Sequence, residues 1–260
     1  MAGATNAEAM DSALFEFCLR LGDNTLVLGH RVSEWCGHAP VLEEDIALAN
    51  TALDLIGQTQ LWLGLAGEVE GRGRDADALA FRRDAWDFRS ALLVEQPNGD
   101  FGNTILRQYL FDQWQALALD ALKGSSDDRV AAIAAKASKE VAYHVERSRG
   151  TVVGLGDGTE ESHARMQAAL ERLYPYVGEF FGTDAVDEEI AARGIAPLPA
   201  ALRDAYDAAV AASLSEATLT LPDSRWTHTG GRDGAAHSEH LGHILTEMQW
   251  LQRAYPGAAW

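Results

Sequence analysis

Apolar residues recur along this chain at the three- and four-residue intervals of an α-helix, and no segment alternates convincingly with period two. Leu14, Cys18, Leu21, Thr25, Leu28, Val32 and Trp35 form one such seam. A stripe of this kind must be buried against another helix, so the pattern restricts the chain to all-α packing. Gly37 and Pro40 end this first helix, with His38 near the negative end of its dipole. A second helix is predicted from about Val41 to Glu70. It is apolar almost all round, through Ile46, Leu48, Leu53, Leu55, Ile56, Leu61, Trp62 and Leu65, and should therefore be central.

After the polar break at residues 71–75, a shorter amphipathic piece is expected from Leu79 to Val94, closed by the turn Gln96-Pro97-Asn98-Gly99. A second long pair follows, from about Asn103 to Leu122 and from Asp127 to Val153, with Asp127 or Asp128 as the cap of the later helix. Val130, Ala134, Ala137, Val141, His144, Ser148 and Val152 form its seam. A fifth helix runs from Ser162 to Phe181 with a kink at Pro175. Irregular structure is expected from Gly182 to Pro199. Helices follow from Ala200 to Leu219 and from Ser238 to Tyr255, separated by a loop over Pro222–Ala236. Two long helix pairs with short connections imply an antiparallel four-helix bundle with later helices packed alongside.

At 260 residues the chain can bury a sizeable core. No linker is long enough to divide it, so residues 13–260 read as a single domain, preceded by an extension over residues 1–12. The net charge of −18 repels phosphate backbones and anionic membrane surfaces, which argues against nucleic-acid or lipid binding by general electrostatics. The candidate span Asp45–Gly67 is interrupted by Asn50, Asp54, Gln58 and Gln60. The first ten residues lack the character of a signal peptide. Cys18 and Cys36 lie too far apart along one helix to bond each other, which suits a reducing compartment. These features describe a cytoplasmic protein.

In a helical bundle the informative residues are ionisable groups on core stripes, because an isolated buried charge is costly. Four stand out. Asp54 lies mid-way along the second helix, in line with Asn50 and Gln58. Asp112 belongs to the stripe Ile105, Tyr109, Ala116 and Leu119. His144 lies on the seam of the fourth helix. Asp23 shares a face with His30 and Glu34. The intervals from Asp23 to Asp54 and from Asp112 to His144 are nearly equal, which echoes carboxylate-bridged di-iron bundles. Those use one Glu from each of two helices and a Glu-x-x-His pair from each of the other two. Here the pattern is broken. Asp54-Leu55-Ile56-Gly57 has no histidine, and Val141-Ala142-Tyr143-His144 has no glutamate. Three short carboxylates and one imidazole are too few donors for two irons. The expectation is that no metal binds in this chain, and that the carboxylates are satisfied by Arg or Lys of a neighbouring helix, or by Asn and Tyr.

Two further groups have ligand-like composition. Glu160 and His163 form a Glu-x-x-His, but at a helix start, where acidic residues complement the positive end of the dipole. His237, Glu239, His240, His243 and Glu247 cluster near the C-terminus without the zinc-protease spacing. They read as a solvated or interface-facing helix start. Cys36-Gly37-His38 marks a helix end, since adjacent side chains rarely meet.

Several motifs together carry a family resemblance. Arg20-Leu21-Gly22-Asp23-Asn24, residues 34–40 (Glu-Trp-Cys-Gly-His-Ala-Pro), Leu48-Ala49-Asn50 and Leu53-Asp54-Leu55 are among them. So are residues 93–99 (Leu-Val-Glu-Gln-Pro-Asn-Gly), Arg107-Gln108-Tyr109, Lys139-Glu140, Tyr143-His144, Thr229-Gly230-Gly231, residues 239–242, 247–249 and 251–253. In these the chain resembles the structural C subunits of bacterial phenylacetyl-CoA epoxidases, over nearly its whole length beyond the first dozen residues. The resemblance implies a ferritin-like fold and a multicomponent oxygenase that epoxidises the aromatic ring of phenylacetyl-CoA. A related catalytic A subunit would hold the di-iron centre. A small B subunit and a flavin/iron–sulfur reductase would complete the system.

The chain is thus expected to be a non-catalytic subunit, packing against the A subunit through its first two helices and the Gln96–Phe101 turn. Two alternatives stand beside this. One is a divergent di-metal oxygenase or oxidase using Asp23, Asp54, Asp112 and His144. The other is a CoA-ester binding module without chemistry of its own.

Overall fold

The structure, a computed structural model, describes residues 2–223 and 226–258, with side chains from residue 12 onward. Met1, Ala259, Trp260 and, within the expected Pro222–Ala236 loop, Ser224 and Arg225 lie outside the described residues. The fold is all-α, and no strand occurs among the described residues. The chain divides into two compact units. One comprises residues 1–38, 43–96 and 230–260; the other comprises residues 39–42 and 97–229. Each contains a pair of long helices, the element content of a ferritin-like fold.

The first unit is built on α1 (Ala2–Ser33) and α2 (Leu42–Glu70). Thr25 and Thr59 hydroxyls meet at 2.8 Å, while Gly22 abuts Leu63 and Gly29 abuts Ile56. These pairings run in opposite directions along the two helices, so the helices are antiparallel. A Cβ at Gly22 would lie 2.6 Å from the Leu63 side chain, so the small residue sets the close approach. α1 ends where expected: Gly37 takes a positive φ of 80° and its N–H donates to Asp45 at 2.8 Å.

The helix expected from Leu79 to Val94 is broken into three. α3 (Ala76–Phe81), a 3₁₀ turn over Ala85–Asp87 and α4 (Leu92–Glu95) are joined by extended residues. The cause is competition for hydrogen-bond donors. The N–H of Arg89 donates to Asp23 and that of Ala91 to Asn24, each at 2.8 Å, so α1 side chains take donors that a continuous helix would use internally. α10 (Glu239–Ala254) completes this unit. The Gln249 amide on α10 donates to the carbonyls of Ala80 and Arg83.

The second unit centres on α5 (Phe101–Leu122) and α6 (Asp128–Gly156). Asp100 caps α5 through the Asn103 N–H, and Asp127 caps α6. The whole predicted α6 seam is buried. α7 (Glu160–Leu173) stops short of Pro175, and the chain continues as a 3₁₀ segment, Tyr174–Phe181. Pro175 thus ends the α-helix instead of kinking it, because its ring removes an intrahelical donor. Phe180 from this segment stacks on Trp114 with ring centroids 4.4 Å apart.

The stretch expected to be irregular contains α8 (Ala185–Ala192). It starts on a capping box in which Asp184 accepts from Val186 and Asp187, while the Asp187 side chain accepts from Asp184 N. Its eight residues carry too few apolar positions to display a period. A 3₁₀ turn, Pro199–Leu202, leads into α9 (Arg203–Glu216). Tyr206, fully buried on α9, donates to the Leu110 carbonyl.

Candidate functional site

In the first unit Asp23 is completely buried, and so nearly is the residue that answers it, Arg83. The guanidinium meets the carboxylate with both prongs. Nη1 donates to Oδ2 at 2.9 Å and Nη2 donates to Oδ1. Arg89 N also donates to Oδ2 at 2.8 Å. Arg83 is itself fixed by the carbonyls of Leu79 and Asp87, and its guanidinium lies 4.3 Å from the centroid of the Phe88 ring. Both oxygens of Asp23 are therefore committed to a cation supplied by the protein. The expected pairing with arginine is found here, although the arginine comes from the irregular segment after α3 and not from a neighbouring long helix.

Asp54 is half-buried on α2. The pairings of Gly22 with Leu63 and Thr25 with Thr59 bring Asp23 level with the region of Trp62. Asp54 is then about two turns, roughly 12 Å, further along α2. The near-equal sequence intervals do not bring these two carboxylates together.

In the second unit Asp112 and His144 are both buried, on α5 and α6. Gln108 Nε2 donates to Asp112 Oδ1 at 2.6 Å, and Ser148 Oγ donates to Oδ2 at 2.8 Å. Burial pushes the Asp112 carboxyl up to about 6, against the opposing pull of His144 and these two hydrogen bonds. Its partners are an amide and a hydroxyl, neutral groups that tolerate either protonation state.

A third polar group was marked in the sequence only by its place in the 93–99 motif, not as a candidate site residue. Glu95, at the end of α4, is fully buried and accepts three hydrogen bonds. These come from Ser90 Oγ at 3.0 Å, His237 Nδ1 at 2.6 Å and Ser238 N at 2.7 Å. Its carbonyl accepts from Arg31. Arg83 follows α3 and Glu95 ends the four-residue α4, stretches too short for a period to mark a buried position, so the signal for Glu95 was its place in the 93–99 motif.

The remaining expected clusters separate. His237 turns inward onto Glu95, while Glu239, His243 and Glu247 are exposed on α10. Glu160 lies in the first turn of α7, whose cap is a Thr159–Ser162 box, and His163 Nδ1 pairs with the Gly156 carbonyl at 2.8 Å. Cys18 is buried and Cys36 exposed, and neither is in a disulfide. Among the described residues no three His, Cys, Asp or Glu side chains are grouped to hold a metal ion. None of the described helices is long and apolar enough to cross a membrane.

Comparison with known proteins adds two findings. Residues 1–260 match the profile of a family described as phenylacetic acid catabolic protein. The C subunit of the 1,2-phenylacetyl-CoA epoxidase of Escherichia coli (strain K12) is 49% identical over 247 residues, covering 95% of this chain and 99% of its own.

Proposed function

This chain belongs to the phenylacetic acid catabolic protein family, and from that premise we propose that it is the non-catalytic structural subunit of a multicomponent phenylacetyl-CoA epoxidase. The observation that carries this reading is the Asp23–Arg83 pair. A dinuclear iron centre needs carboxylates with free lone pairs and at least two imidazoles. Asp23 gives its lone pairs to a guanidinium, and a fixed positive charge stands where a ligand carboxylate would face a metal. Asp112 already accepts from Gln108 on one oxygen and from Ser148 on the other, and His144 is the one histidine of the set. These residues do not fit a di-iron centre.

What they fit is a support. Asp23 and Arg83 clamp the irregular 82–91 segment onto α1, and Asp112 with Ser148 ties α5 to α6. In this reading the iron and the oxygen chemistry belong to a related catalytic subunit, whose helices this chain holds in place. A small subunit and a reductase complete a cytoplasmic assembly. Reconstitution tests it: activity on phenylacetyl-CoA is expected only when this chain accompanies the catalytic subunit. Full activity without it, or two irons per chain in the isolated protein, refutes the proposal.

A further inference from the structure

Residues 230–238, the glycine-rich stretch that leads into α10, lie as a strap against the 86–95 segment, and the proposed function makes no use of them. Ala236 N donates to the Gly230 carbonyl at 3.0 Å, and a side chain at Gly234 would run into the Arg89 guanidinium. His237 is the inward anchor of the strap. Its side chain is 5% exposed, with the Trp86 ring beside it, and it meets the fully buried Glu95 carboxylate.

Both ring nitrogens of His237 face acceptors. Nδ1 lies 2.6 Å from Glu95 Oε1, and Nε2 lies 3.2 Å from the Phe88 carbonyl oxygen. A carbonyl oxygen cannot donate, so Nε2 carries a hydrogen. The short Nδ1–Oε1 contact then needs a second proton, on the imidazole or on the carboxyl, since two bare lone pairs repel. Charge balance asks for the same proton. The arginines packed around the pair are committed elsewhere: Arg83 to Asp23, Arg89 to Glu16, and Arg31 to Glu34 and the Glu95 backbone carbonyl. Along the strap and the start of α10 the neighbouring ionisable groups are Arg232, Asp233, Glu239 and His240. The Glu95 carboxylate accepts from Ser90, His237 and Ser238. A buried carboxylate without a countercharge is costly, and the imidazole is the group placed to supply one.

We propose that Glu95 and His237 share one proton, and that this proton locks the strap onto the 86–95 segment. Loss of the proton to solvent at rising pH leaves a carboxylate facing an imidazole lone pair. The strap then lifts and frees the Ser238 N–H that starts α10.

Hydrogen exchange on the full chain tests this, with protection over residues 230–238 corrected for the intrinsic pH dependence of amide exchange. Between about pH 6 and about pH 9 protection should fall about tenfold or more. Glu95→Gln should cancel or reverse that fall, because its amide donates to a neutral Nδ1 while Nε2–H still reaches Phe88. His237→Asn keeps a donor near the Nδ1 position but does not titrate, so its protection should not respond to pH. In the wild type, a downfield NMR resonance of the bridging proton should be present at about pH 6 and vanish in step with the protection.

Protection that is constant with pH overturns the proposal. So does a fall that either variant shares with the wild type, or the lack of a bridging proton at about pH 6. Should Glu95→Gln fail to fold, the wild-type resonance and His237→Asn still decide.

Discussion

Arg83 reaches across sixty residues of sequence to close a two-pronged ion pair with Asp23, and neither side chain has appreciable contact with solvent. Such a pair gains little over a well-packed apolar substitute, because desolvation offsets most of the attraction. Breaking it from one side is another matter. Arg83→Met leaves a buried carboxylate without its cation and should destabilise the chain by about 3–5 kcal/mol. Adding Asp23→Asn should recover most of that loss. Urea unfolding of the two single variants and the double variant measures both, and a double variant as weak as the sum of the singles contradicts the account.

Asp112 predicts a pH dependence of stability. Its carboxyl titrates at 3.8 in an ordinary setting and at about 6 in the fold. Below about pH 4 folded and unfolded chains are both protonated at this site. Between there and about pH 6 only the folded chain holds the proton, so this contribution to stability falls as pH rises. Above about pH 6 the deficit is constant, at about 3 kcal/mol. Asp112→Asn should remove this slope and stabilise the protein at neutral pH by up to that amount. At pH 4 it should have little effect. Denaturant midpoints across this range are the measurement.

Glu95 should prove as sensitive as Asp23. Glu95→Ala removes the acceptor of three donors, including the Ser238 N–H that starts α10. A loss of about 3 kcal/mol is expected, from charged hydrogen bonds plus the cavity. Amide exchange should rise first over residues 230–238, the segment that this carboxylate anchors.

Two glycines should respond oppositely to alanine. A Cβ at Gly231 would overlap the Ser90 carbonyl oxygen, a backbone atom that cannot swing aside, so Gly231→Ala must displace the 230–238 loop and destabilise. At Gly57, inside α2, an added Cβ meets nothing within 4 Å. Gly57→Ala should stabilise by about 0.5–1 kcal/mol through helix propensity alone. Thermal unfolding distinguishes the two signs.

The long helices were legible because their seams repeat: the α6 line from Val130 to Val152 is buried at every predicted position. Capping chemistry was legible too, in Asp127. The stretch from Leu79 to Val94 was not, since its apolar spacing suits a helix while Asp23 and Asn24, more than sixty residues away, capture the N–H groups of Arg89 and Ala91. α8 was missed because a capping box in eight residues carries less signal than a seam.

Sequence alone determined that the chain is helical and acidic, because these follow from residue identity and local period. Only the tertiary structure decided what each polar group does there. Asp23 answers to Arg83, Asp112 to Gln108 and Ser148, and His237 to Glu95. Those partners are chosen by distance in the fold and by the penalty on an unpaired buried charge, neither of which is written in spacing along the chain.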